Sequence, residues 1–153
     1  MKKSLLVLAL MSSIGLAQAV EVGAVAGGVS GKNAGGLAGV TVGDHFGKFS
    51  VDAGYASAWQ HNNTSNRWSL VGGYDIAKVA GVTVTPKVGY VYLDNSSTNA
   101  SNRTPSASAY LVGVGASLPI TKQVAATADY AYQASQNRNN IGNVVTAGLK
   151  YSF

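Results

Sequence analysis

Cysteine is absent from the 153 residues, proline occurs only three times, and charged side chains make up 11% of the chain. Without thiols there is no disulfide framework, no thiolate metal site and no lipid-bearing N-terminal cysteine, so rigidity has to come from backbone pairing. Basic residues are few and scattered: Lys32, Lys48, Arg67, Lys78, Lys87, Arg103, Lys122, Arg138 and Lys150 follow one another at wide intervals, unlike the stripe a nucleic-acid site requires. Histidine occurs twice, at His45 and His61. The first falls in an expected turn and the second in an expected loop at the opposite end of the fold, so the pair cannot share a site. No metal-binding, cofactor-binding or catalytic set of residues is expected. Long apolar runs are missing as well, since the only continuous one, over 5–16, is shorter than the roughly 20 residues of a spanning helix.

That short run has another reading. Lys2 and Lys3 precede it and Ala17-Gln18-Ala19 follows it, the order of a secretory signal peptide cleaved after Ala19. Residues 20–153 are then one domain of 134 residues, with 9 basic and 6 acidic side chains.

In that domain, apolar residues recur at every second position, the period of strands with two unlike faces. Over 48–60, Phe49, Val51, Ala53, Tyr55 and Trp59 share one parity, and Lys48, Ser50, Asp52, Gly54 and Gln60 the other. Similar alternation marks 67–78, 82–93, 106–118, 123–133 and 143–153, with fainter Gly- and Ala-rich strands at 20–30 and 34–43. Val71, Val91 and Leu93 break it by falling on the polar parity. Pro86, which has no N–H for a ladder, predicts a bulge or a weakened pair.

Of the 13 aromatic residues, 12 fall on the apolar parity, Phe46 in an expected turn being the exception. Tyrosine near strand ends suits a lipid boundary better than a soluble core, because the ring sits at headgroup level with its hydroxyl in water. Trp59, Trp68, Tyr92 and Tyr132 are expected in one girdle and Phe49, Tyr151 and Phe153 in the other. The connections alternate between polar stretches rich in Asn and Ser, over 60–67, 94–105 and 134–142, and tight turns over 44–47, 78–81 and 119–122. Eight strands of about ten residues fit a chain of this length. The expected architecture is an all-β, transmembrane, antiparallel up-and-down β-barrel with eight strands and no long soluble segment after it.

The last strand ends on Phe153, with Tyr151, Leu149, Ala147 and Val145 at every second position before it. In this the chain resembles the small bacterial outer-membrane barrels of the OmpX, opacity-protein and OmpA-transmembrane type. The resemblance implies that Leu149, Tyr151 and Phe153 form the signal read by the barrel-assembly machinery. It also implies export to the bacterial outer membrane, contact with membrane lipid and lipopolysaccharide, and a monomer whose polar loops reach an extracellular partner. Lipid A deacylases of this size resemble the chain in fold only, and their local motif is not found.

The stretch Ala26-Gly27-Gly28-Val29-Ser30-Gly31-Lys32-Asn33 lacks the first Gly and the final Ser or Thr of a phosphate loop and reads as a hairpin. More telling are the charges on the inward parity, Glu21, Lys48, Asp52, Asp75, Lys87, Asp129 and Lys150. A lone charge in a lumen is costly, so these are expected to be paired or hydrated. A symmetric hairpin about Asn63 and Thr64 sets Asp52 opposite Asp75, with Lys48 or Lys87 as the neutralising cation. Glu21 and Lys150 are expected to meet across the seam closing the barrel. Two functions follow: a structural or surface-interaction barrel with a side-chain-filled lumen, or a small passive pore. A lipid-modifying enzyme is a more distant alternative.

Overall fold

The computed structural model describes residues 20–31, 34–60, 63–96, 106–135 and 142–153, and every regular element among them is a β-strand. The strands are β1 (Glu21–Val29), β2 (Gly35–Phe46), β3 (Phe49–Gln60), β4 (Asn63–Tyr74), β5 (Ala77–Val79), β6 (Val82–Ser96), β7 (Ala107–Pro119), β8 (Val124–Ser135) and β9 (Gly142–Ser152). Antiparallel pairing runs around a ring in which β4 meets β6 and β9 returns to β1, leaving β5 as a three-residue spur on β6. The ring is a closed, eight-stranded, up-and-down barrel.

Closure is staggered. Following the hydrogen-bond direction from Glu21 leads through Gly43, Asp52, Val71, Gly89, Leu111 and Gln133 to Gly142. Gly142 lies two residues before Val144, the partner of Val29, and so stands level with Gly31, ten residues up the strand from the starting point. For eight strands such a stagger corresponds to a tilt of roughly 40° and a radius of about 8 Å, a bore that inward side chains can fill. The short connections 47–48, 75–81 and 120–123 lie with residues 20 and 153 at one end, called here the turn end. The opposite end is the loop end.

Several expected boundaries move, each for a physical reason. β2 continues to Phe46, which pairs with Phe49, so the turn expected over 44–47 contracts to Gly47-Lys48, with Gly47 at φ 68°. The long loop expected over 60–67 contracts too, because β3 and β4 stay paired out to Gln60 and Asn63. Its Asn, Ser and Thr residues resemble a loop in composition only, as a strand that has passed out of hydrocarbon can be polar on both faces. This slides the hairpin by four residues, so Asp52 stands opposite Val71 and not Asp75. The strand expected over 67–78 is broken at Asp75 and Ile76, where Tyr74 to Ile76 face only Thr85 and Pro86. Three residues against two is a bulge, and it sits at the proline that cannot donate to the ladder. β6 runs on to Ser96, and β8 and β9 take up the edges of the stretch 134–142. Residues 97–105, 136–141 and the expected leader 1–19 lie outside the described residues.

The β5–β6 connection turns through Ala80 and Gly81 at φ 50° and 85°. Positive φ at both central positions matches the strand twist but is unfavourable for a residue with a Cβ. Ala80→Gly is expected to leave the fold unchanged and to raise stability by about 0.5–1 kcal/mol, measured by denaturant unfolding of the refolded protein in micelles.

Candidate functional site

Two surfaces carry the chemistry of a closed barrel, its outer wall and its bore. On the outer wall, Val22, Val40, Val51, Leu70, Val88, Val112, Val114, Val145 and Leu149 are all exposed. Such a continuous band of aliphatic side chains suits hydrocarbon and not water. Aromatic rings border it on both sides. At the turn end Phe49 packs on Tyr74 with centroids 4.8 Å apart, and Tyr151 on Phe153 at 5.0 Å. Toward the loop end Tyr55 packs on Trp68 at 4.7 Å and Tyr90 on Tyr110 at 5.9 Å, with Trp59, Tyr92, Tyr130 and Tyr132 also exposed. Two of the hydroxyls bond to polar side chains on the wall: Tyr130 donates to Asn143 Oδ1 at 3.0 Å and Tyr90 to Ser108 Oγ at 2.5 Å.

The bore is layered. Nearest the turn end, Lys150 Nζ lies 3.2 Å from Glu21 Oε2 and 2.7 Å from Asp52 Oδ1, so one ammonium bridges two carboxylates. His45 Nε2 is 3.4 Å from Glu21, Ser152 Oγ donates to Glu21 Oε1 at 3.1 Å, and Thr85 Oγ1 donates to Asp75 at 2.5 Å. One step deeper, Lys87 and Asp129 form a second pair at 2.5 Å. The loop half is apolar: Leu37, Ala58 and Val144 pack as one buried cluster and Val91, Leu93 and Ala107 as another. Between them Arg67 Nη2 donates to Gln133 Oε1 at 2.7 Å. A cavity of about 110 Å³ opens among the turn-end charges and one of about 140 Å³ lies in mid-barrel, with Asp52, Lys87, Thr127 and Lys150 lining both.

No protein-family model and no curated protein matches the chain. Solved structures do. The N-terminal β-barrel domain of Pseudomonas aeruginosa OprF superposes with a TM-score of 0.70 at 16% identity, over 87% of this chain and 97% of that one. Neisserial surface protein A gives 0.66 at 14% identity, over 88% and 96%. Ail, the attachment invasion locus protein of Yersinia pestis, gives 0.56 at 14% identity, over 89% and 97%. The fold is that of the small bacterial outer-membrane barrels.

Within this outer-membrane barrel fold, Glu21, Asp52, Asp75, Lys87, Asp129 and Lys150 face the lumen or its turn-end mouth. The structure brings Glu21 and Lys150 together across the β1–β9 seam and adds Asp52 to the same ammonium. Lys48 does not join them; it stands exposed in the two-residue turn, because β2 claims the residues expected to form that turn. Asp52 and Asp75 are likewise not partners. His45 leaves its expected turn for the lumen end of β2, while His61 lies outside the described residues.

On the wall, Leu149, Tyr151 and Phe153 lie together at the turn end. Tyr55, Tyr74, Tyr90, Tyr110 and Tyr130 belong with the expected girdle residues, and their parity was the signal that places them there. Phe46 joins the outward row once β2 extends. Arg67 was hidden at the edge of an expected loop. Val91 and Leu93, irregular in sequence, are buried in the lumen against Ala107 and Leu111: Val91 is 0% exposed.

Removing Lys150 leaves two carboxylates without their cation. Lys150→Met is expected to cost about 3 kcal/mol, whereas Lys87→Met combined with Asp129→Leu costs clearly less than Lys87→Met alone, since both members of that pair go together. Guanidinium unfolding followed by the fluorescence of Trp59 and Trp68 measures both, and equal losses for single and double variants would contradict the pairing.

Proposed function

We propose that the chain is exported by its leader, spans the outer membrane as a monomer, and serves as a closed structural scaffold that presents its loop end for surface interaction. The observation that carries this reading is the filled loop half of the bore. Leu37 and Val144 in one cluster and Val91 and Leu93 in another are buried in that half, and Arg67 bonds to Gln133 between them, so side chains take up much of the space a wide conduit would need. The polar layers below these clusters support a rigid wall, because ion pairs linking β1, β3 and β9, and β6 with β8, tie strands across the lumen. The aliphatic band and its aromatic borders support contact with membrane lipid on the wall and with lipopolysaccharide on the outer side. Leu149, Tyr151 and Phe153 project from the last strand, where the assembly machinery would read them. With 60–67 reduced to a hairpin, 94–105 and 134–142 are the stretches left for an extracellular partner.

In planar bilayers the folded protein is expected to give no discrete conductance steps, and reproducible steps would replace the scaffold reading by that of a passive pore. Cells displaying the protein are expected to adhere to host-cell matrix less well, by severalfold, when 97–105 is replaced by a two-residue turn. Undiminished adhesion, or none by the intact protein, would remove the surface-interaction role.

A further inference from the structure

The chain has six carboxylate side chains, and all six are among the described residues. Each has a place of its own. Glu21 and Asp52 are held by Lys150, Asp129 by Lys87, and Asp75 accepts from Thr85. Asp44 accepts from the backbone N–H of His45, and Asp94 is exposed on the outer row of β6. None lies within ion-pair distance of Arg67. Yet Arg67 is 8% exposed, and its guanidinium sits between the two apolar clusters with the neutral amide of Gln133 as an acceptor. An arginine keeps its proton, so this is a fixed, buried positive charge that no carboxylate contacts.

The same side chain lines the cavity of about 140 Å³, together with Leu37, Val91, Leu111 and Val144. That volume holds a halide or a small oxyanion with a few waters. Lys87 and Lys150 also line it, as do their partners Asp129 and Asp52, so Arg67 is the one lining cation with no carboxylate in contact. We propose that the mid-barrel cavity binds one small monovalent anion, of chloride size, on the guanidinium of Arg67. Gln133 fixes the guanidinium from the other side, and the apolar walls strengthen the attraction by keeping bulk water away. The site does not depend on the scaffold reading, because an anion can be held in a bore that conducts nothing.

Refolded protein in zwitterionic micelles tests this by thermal unfolding in sodium chloride, sodium bromide and sodium gluconate at equal ionic strength, gluconate being too large to enter. The midpoint is expected to be a few degrees higher in either halide than in gluconate. Crystals grown in sodium bromide are expected to give an anomalous peak beside the Arg67 guanidinium. Gln133→Glu puts a carboxylate where the amide oxygen now accepts; it is expected to fold, to abolish the difference between halide and gluconate, and to remove the peak. Arg67→Met is expected to do the same, and if it fails to refold, Gln133→Glu decides. Equal midpoints in all three salts for the native chain, a bromide peak only elsewhere, or a Gln133→Glu variant with undiminished halide dependence would each overturn the proposal.

Discussion

Every other feature of this molecule depends on the closing of the strand ring. In hydrocarbon an unpaired backbone N–H or C=O costs several kcal/mol, so a sheet can cross only if its first and last strands join. Here β1 and β9 do so along nine residue pairs, Glu21 with Ser152 through Val29 with Val144. The ten-residue stagger that this pairing imposes sets the tilt and, with it, the width of the bore. A narrow bore leaves room for side chains and little else, and the glycines reflect that: a Cβ at Gly39 would stand 2.6 Å from the Cα of Ala56 on the neighbouring strand.

Closure also fixes an inside and an outside for every residue. Outside, the chain meets two solvents, and its side chains divide accordingly into an aliphatic band with aromatic borders, two of whose hydroxyls bond to Ser108 and Asn143. Inside, there is a gradient along the axis, from a charged turn end through ion pairs to an apolar loop half. Charges are tolerated where they are paired or where cavities let water reach them, and the two apolar clusters lie beyond the ion pairs. Arg67, which no carboxylate contacts, lies between the two apolar clusters with Gln133 as its acceptor.

The likeness to OprF, Neisserial surface protein A and Ail lies in this frame and not in the sequence, at 14–16% identity. Lipid-facing positions ask only for apolar character and lumen positions only for fit and charge balance, so many sequences satisfy one barrel.

The amino-acid sequence by itself determined the number of barrel strands, their two-faced character and the outward row of aromatic residues, because each follows from the period of two that a strand imposes on its side chains. It also marked Pro86 as the site of an irregularity, since a missing N–H is a local fact. Tertiary structure decided what depends on partners. Composition read 60–67 as a loop, and only the pairing of Gln60 with Asn63 showed a hairpin, sliding Asp52 past Asp75 and giving it to Lys150 on a strand 98 residues away in sequence. Lys48 was legible as polar but not as a turn residue, because where a turn closes depends on how far pairing continues. The buried cluster of the loop half was legible only as two misplaced apolar residues, Val91 and Leu93, because their neighbours Ala107 and Leu111 are set by the register between strands and by no spacing within one.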